Sequence, residues 1–467
     1  MTRHLPALTA ALLLGLLTAA PCSAASKASF TIRGAGFGHG VGMSQYGALG
    51  FAEHGWTAPQ ILAHYYTGTA LGTTDESRQI RVLLSTQTGA AQIAGATGAG
   101  AQALSPSTTY VVRRSGLSRL SLTTAAGKRV GSFTAPLQIA GAAGGVGFGG
   151  KRYRGILELT PLSAGGGIEV VNAVGLEDYL RGVVPAESPA SWPAAALQAQ
   201  AVAARTYAIT TAHGGGFDVY PDTRSQVYGG IGAETPTTDA AVAATAGQVV
   251  TYDGSPVVTY FFSTSGGQTE DVENTSLGDA PEPWLKSVDD PYDGVSPRHR
   301  WPVRTLSLAS AGSRLGRLVK GSFRGIRVLQ RGASPRIVRA QVLGTRGTTT
   351  VSGDQLRTAL GLWDTWASFT SVASSSTAAA GPTVAVNRSG GATASAATLA
   401  PAGVLRGRVQ PGRRGATLTV QRRDGGHWVT AATTTLGAGG RYAVAAPSRG
   451  IYRVLAAGGV GPAVRVG

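Results

Sequence analysis

Between Gln79 and Val171 apolar and polar residues alternate in short runs, among them IRVLL, TYVVRR, LSLTT, RYRGILEL and GIEVV, separated by Gly, Ser and Pro. Strand side chains point alternately to the two faces, so these runs fit strands of a half-buried sheet joined by turns. One helical stretch interrupts the pattern, from about Pro193 to Ala212. Its Ala-rich interior carries Leu197, Val202 and Ile209, Pro193 suits a first helical position, and glycines 214–216 close it. GQVVTY, PVVTYFF, IRVLQR and RIVRAQVLG read as further strands, and SGDQLRTALGLW as a short helix with Ser352 or Asp354 at its start.

The chain ends on a second strand series, VLRGRV, ATLTVQRR, HWVTAATT, RYAVAA and IYRVLA. Before it, residues 373–402 are largely Ala, Ser, Thr and Gly, which bury too little surface to offset the entropy of ordering, so a linker is expected there. The expected fold class is α+β, mainly β. It comprises a large domain over residues 26–372 and a small C-terminal β-sandwich over 403–467, a binding or spacer module. The larger domain divides into a Gly-rich block at 26–75, a β-rich part at 76–175 and a core at 176–372.

Residues 1–25 read as a secretory signal: Arg3, the apolar run Ala7–Ala20, then the small residues Ser23, Ala24 and Ala25. Cys22 is the only cysteine and lies within that leader, so the mature chain is expected to have no disulfide and no thiolate metal site. No later segment is long and apolar enough to span a membrane, and the expected location is secreted, outside the cytoplasm. The formal net charge is +17. A field of that sign suits anionic partners. Scattered arginines, the lack of any zinc-finger or helix-turn-helix pattern and the export signal argue against nucleic acid. Neither metal nor cofactor is expected.

Three stretches are candidates for chemistry. In GAGFGHGVGMSQYGA glycine recurs at 34, 36, 38, 40 and 42. In an extended chain this leaves one face bare, with Phe37, His39, Val41 and Met43 on the other, and a bare face allows close approach by another chain or a ligand. Two readings of His39 stand, a satisfied structural imidazole or a proton-transfer or hydrogen-bonding group. In LEDYLRGVVPAESPASWP, Glu177 and Asp178 read as surface charge. Glu187 lies between Pro185 and Pro189, near Trp192, on a restrained connection where desolvation favours a protonated carboxyl and the following helix N-terminus opposes it. Gln198 and Arg205, seven apart, share a helix face suited to gripping sugar hydroxyls or to lying on the rim of the core. SQVYGG and FFSTSGG end strand-like runs in short polar residues and read equally as binding loops or ordinary turns.

Taken together, GFGHGVGMSQYGA, LEDYLRGVVPAE, ALQAQAVAARTYA, SQVYGG, FFSTSGG and SGDQLRTALGL resemble the stage II sporulation protein D family, which includes the amidase-enhancer proteins. The resemblance implies a lytic transglycosylase acting on peptidoglycan glycan strands, with its catalytic glutamate at Glu187. It places substrate-binding groups at Arg205, His39, Ser44, Gln45, Gln226, Tyr228 and Ser265. A non-catalytic, glycan-binding enhancer of a cell-wall amidase is the alternative. In much of the family the Gly-rich block comes late, whereas here it comes first, so the expected domain is permuted. Some relatives carry Cys and His metal ligands where this chain has FFSTSGG, which implies no metal here.

Overall fold

The computed structural model describes residues 29–162, 167–375, 403–410, 412–456, 459–461 and 463–466. The expected signal sequence and most of the expected linker, 376–402, lie outside them. The chain is mainly β with several helices. It divides into two compact units, one of Thr31–Phe369 and one of Thr370–Gly467 together with Met1–Phe30.

In the larger unit the alternating runs form two antiparallel six-stranded sheets. In one, Ala90–Ala94 lies between Tyr110–Arg114 and Val146–Phe148; in the other, Gly167–Gly175 lies between Gln79–Thr88 and Ile156–Pro161. Their inward residues, including Ile93, Val112, Leu122, Ile139, Leu157 and Val170, share one apolar core. The single half-buried sheet expected from alternation is thus two sheets over a common core.

Helices α1 (Gln45–Glu53) and α2 (Ala58–Tyr65) follow the Gly-rich block. The Ser44 hydroxyl caps α1 by accepting the Gly47 N–H, and Thr57 with Gln60 forms a capping box on α2. Next come α3 (Leu176–Glu187) and α4 (Ala194–Thr210), the latter with Pro193 as its N-cap residue. Leu197, Ala201 and Ala204 of α4 join the core under the sheets, while Ala199, Val202 and Ala203 pack with Met43, Phe51, Leu62 and Tyr65 from the Gly-rich block, α1 and α2. A helix buried on both flanks has no polar stripe, and alanine lets its neighbours approach closely, which accounts for the composition of α4. Beyond α5 (Pro236–Ala244), the unit adds α6 (Leu308–Leu315), the three-stranded sheet of Phe323–Arg331, Ile337–Gly344 and Gly347–Ser352, and α7 (Gly353–Leu360). Ser352 and Gln355 form the capping box of α7, and Gly361 closes it in the left-handed conformation.

The glycine block is not a strand with one bare face. Gly36, Gly38, Gly40 and Gly42 all have positive φ; Phe37 is exposed while Val41 and Met43 are buried. At Gly42 a Cβ would lie 2.1 Å from the Tyr260 carbonyl oxygen, so backbone approach as well as φ demands glycine. Met43–Ser44 pairs in parallel with Phe261–Phe262, and Phe37 bridges Thr264. PVVTYFF is likewise interrupted: only Ser255–Pro256 and Phe261–Phe262 join ladders.

In the smaller unit, Thr417–Asp424 pairs with both His427–Thr435 and Gly450–Ala456, and Gly403–Gln410 pairs with Arg441–Ala446. Leu405, Leu418, Val420, Tyr442, Tyr452 and Val454 form its own core.

Candidate active site

Glu187 is the last residue of α3, not a loop residue between two prolines, because Pro185 is accommodated inside the final turn of the helix. That reverses the expected dipole effect: a carboxylate at a helix C-terminus meets the negative end, which disfavours ionisation. The side chain is half-buried. Its pKa is raised by burial, and hydrogen bonds from Val227 and Gln45 pull it partly back. The Val227 N–H donates to Oε1 at 2.8 Å, and Gln45 Nε2 donates to Oε2 at 3.3 Å. Gln45 Nε2 also reaches the Glu187 carbonyl at 3.1 Å, one of the carbonyls the helix end leaves unpaired, and Gln200 Oε1 at 3.4 Å. No ion pair involves Glu187 among the described residues. A half-buried carboxyl whose protonated form is favoured by burial and whose two oxygens are each held by a donor suits general acid then general base work.

Elements distant in sequence fix those two donors. Gln45 opens α1, whose cap Ser44 also donates to Asp293 Oδ1 at 3.2 Å. Val227 lies between two buried anchors. Gln226 accepts from the Tyr179 hydroxyl at 2.9 Å and donates to the Ala204 carbonyl, and the Tyr228 hydroxyl donates to Asn172 Oδ1 at 2.9 Å. Gln226 and Tyr228 therefore do not line a groove; they aim the Val227 N–H.

The remaining expected binding residues separate in the same way. Arg205 has no exposed surface. It pairs bidentately with Glu177 at 2.8 and 2.6 Å and donates to the Gln248 and Val242 carbonyls, so it cannot reach a bound sugar. Glu177, expected as surface charge, is the other half of that pair; Asp178 stays exposed beside Arg154 and Arg181. Ser44 is a cap and is fully buried. Ser265 is buried, its hydroxyl accepting the Gly267 N–H and its own N–H donating to Asp293. His39 accepts the Val41 N–H at Nδ1 and donates from Nε2 to the Phe261 carbonyl. That pairing requires the neutral tautomer, and burial pushes its pKa down to about 4, so the structural reading of His39 holds. Gln198 is half-buried with no side-chain hydrogen bond among the described residues; Gln200, two positions on, is the helix residue that reaches Gln45.

Sequence reasoning missed an aromatic group. The rings of Tyr46 and Trp192, both half-exposed, meet edge to face at 5.1 Å beside the residues that carry Gln45 and Glu187. The Tyr207 hydroxyl is raised first by burial, with the nearby Glu187 charge contributing. Its ring lies 6.0 Å from Tyr260 and 6.1 Å from Phe261. Both lie inside the stretches singled out in the sequence, Tyr46 in SQYGA and Trp192 in SPASWP, but nothing local brings the two rings together. A cavity of about 610 Å3 on a sheet and one of about 520 Å3 beside Trp284 are lined by other residues. No three His, Cys, Asp or Glu side chains cluster as metal ligands among the described residues.

Residues 164–252, which hold α3, α4, Glu187 and the Val227 segment, match the family model described as stage II sporulation protein. The chain is 33% identical to stage II sporulation protein D of Bacillus subtilis over 211 residues, 41% of this chain and 59% of that protein. It is 41% identical to the amidase enhancer of Bacillus subtilis over 128 residues, 27% of this chain and 17% of that one. An uncharacterized protein of Brachyspira hyodysenteriae is 42% identical over 109 residues, 22% of this chain and 30% of its own length. These matches support the resemblance to the stage II sporulation protein D family, carried most directly by residues 164–252. Its matches span 59% or less of these curated relatives.

Proposed function

We propose that this protein is an exported cell-wall enzyme, a peptidoglycan lytic transglycosylase in which Glu187 is the single acid/base group. The observation that carries the reading is the setting of that carboxyl: half-buried, with its pKa raised by burial, and oriented by Val227 and Gln45. The match to the family model and the names of the relatives support a role in the wall.

Protonated Glu187 gives its proton to the glycosidic oxygen leaving N-acetylmuramic acid as the C–O bond breaks. The resulting carboxylate then takes the proton of that sugar's own 6-hydroxyl as its oxygen closes on the anomeric carbon. One proton is given and one recovered, no water is consumed, and the product ends in a 1,6-anhydro ring. A second carboxylate to activate water is therefore dispensable. The Val227 N–H and the Gln45 amide stabilise the carboxylate formed between the two transfers, when charge on Glu187 is greatest. Tyr46 and Trp192 supply an apolar surface for a sugar face.

The test is digestion of intact and peptide-stripped peptidoglycan by wild type and Glu187→Gln, with mass spectrometry of the soluble products. Anhydro-muramic ends from wild type, reduced about a thousandfold or more in the variant, are expected. Reducing ends would show hydrolysis instead. The match to an amidase enhancer favours a second reading, a glycan-binding enhancer of a separate amidase. That reading expects no anhydro product from wild type and full stimulation of the amidase by Glu187→Gln.

A further inference from the structure

Nearly all of the paired-sheet module precedes the residues matched to the family, and Glu187 chemistry gives it no task. Between Gln79 and Gly175 the chain carries nine Lys and Arg against two Glu and no Asp. Glu158 is consumed by Arg81 and Gln138. Arg154 is paired with Glu234 and Asp178 outside the module, but Arg113, Lys151 and Arg152 are outside every ion pair among the described residues.

Lys151 and Arg152 stand on the rim of the cavity of about 610 Å3. Its position follows from the pleat. Ala91, Ile93, Val112 and Val146 face the core, so Gln92, Ala94 and Gly147 lie on the outer face, where Gly147 pairs with both Ala94 and Arg152. A Cβ at Gly147 would press to 3.2 Å from that of Ala94, so the trough floor is bare backbone and methyl groups. Gln92 and Thr109 add an exposed amide and hydroxyl. Arg152 donates to the Gly145 carbonyl at 3.3 Å and has no carboxylate partner.

We infer that this trough is a docking surface for an anionic wall polymer, a phosphodiester-linked polyol or saccharide running across the sheet. The inference rests on the proposed wall location but not on the chemistry at Glu187. Uncompensated cations at the trough and farther across the same sheet, at Arg113, suit a repeating charge better than one isolated carboxylate. A narrow floor with an amide and a hydroxyl suits polyol units. Nucleic acid fits less well, because binding of single strands uses exposed aromatic platforms, and Phe148, the only aromatic of the lining, is buried in the core. The effect is to hold the enzyme on its insoluble substrate by a contact away from the reacting bond.

The test is co-sedimentation of the full-length mature protein with walls that retain or have been acid-stripped of phosphodiester polymers, alongside titration with soluble polyglycerol phosphate, polyglutamate and a single-stranded oligonucleotide. Wild type and Glu187→Gln are expected to bind the polymer-bearing walls and polyglycerol phosphate equally. The double variant Lys151→Glu/Arg152→Glu is expected to bind both about tenfold or more weakly, with a shallower salt dependence. Lys151→Gln, a milder exposed change, gives a smaller loss in the same direction and covers a folding failure of the double variant. Equal sedimentation with stripped walls, unaltered binding by folded variants, or equal or tighter binding of polyglutamate or oligonucleotide overturns the inference. Failure of glycan cleavage leaves these readouts untouched, so the two proposals fall separately.

Discussion

Asp290 is 1% exposed, and neither carboxylate oxygen has a hydrogen-bond partner among the described residues. Burial and the neighbouring Asp293 charge push it up to about 7, while the hydroxyls of Ser265, Tyr65 and Ser44 pull part of the way back without reaching hydrogen-bond geometry. Gly47 leaves the room: a Cβ there would lie 2.0 Å from the Tyr65 hydroxyl and 2.3 Å from Asp290 Oδ2. An acid whose folded pKa exceeds its unfolded one keeps its proton longer in the native state. Its stabilisation is complete below the unfolded pKa near 4 and is lost as pH rises to about 7. Asp290→Asn carries no such charge. Relative to wild type it is expected to gain stability through that window and to be more stable by about 4 kcal/mol at pH 8. Urea unfolding of both proteins at pH 5 and pH 8 measures this; parallel pH profiles would refute it.

At the scale of elements, α1 and its cap form the arm that holds Glu187. Gln45→Ala removes a donor to the carboxylate form, so it moves the Glu187 pKa further up and weakens the proposed half-reaction in which Glu187 acts as acid. The expected outcome is a kcat about tenfold lower, a loss of about 1.4 kcal/mol, with the limb of the pH–rate profile that reports Glu187 shifted to higher pH. A lower kcat with an unmoved profile would assign Gln45 a structural role instead. The same arm shows how far sequence reasoning reaches. Glu187 was legible as a restrained carboxyl because its neighbours are apolar and proline-flanked, yet its helix was not, since Pro185 reads as a breaker. Helix α1 escaped notice because Gly47 and Gly50 lower helix propensity; a Cβ at Gly50 would lie 2.4 Å from the Tyr292 carbonyl oxygen, a tertiary demand with no local signature. The Glu177–Arg205 pair joins residues 28 apart on two helices, and no spacing rule finds it. Strand runs were the most readable, since alternation is a local property. Their division between two sheets depends on pairings among distant residues.

At the scale of the larger unit, its first segment packs on a buried ion pair supplied by its last. Arg336 and Asp364 are 2% and 0% exposed along their side chains and meet at 2.8 Å. Arg336 also donates to the Ser265 and Gln268 carbonyls, and the Gly-rich block closes over it, with Gly40 so near that a Cβ would sit 2.3 Å from Arg336 Nε. Residues 36–40 therefore pack on a pair supplied some 300 positions later. That closure holds Met43–Ser44 against Phe261–Phe262, which in turn sets the start of α1 and the Gln45 amide. Removing only Arg336 strands a buried carboxylate, and Arg336→Met is expected to cost about 3–5 kcal/mol. Substituting both partners, Arg336→Met with Asp364→Leu, removes the charge along with its counter-ion and is expected to recover most of that loss. The Ser265 and Gln268 carbonyls then lack their donor, so recovery falls short of wild type by about 1–3 kcal/mol. Thermal unfolding of the three proteins gives the stabilities, and glycan cleavage measured well below each midpoint shows whether the pair acts through folding alone. Activity restored in the double variant would make the pair a scaffold for the Gln45 arm. A double variant as unstable as the single one would show that the hydrogen bonds to the two carbonyls, rather than the charge pair, close the unit.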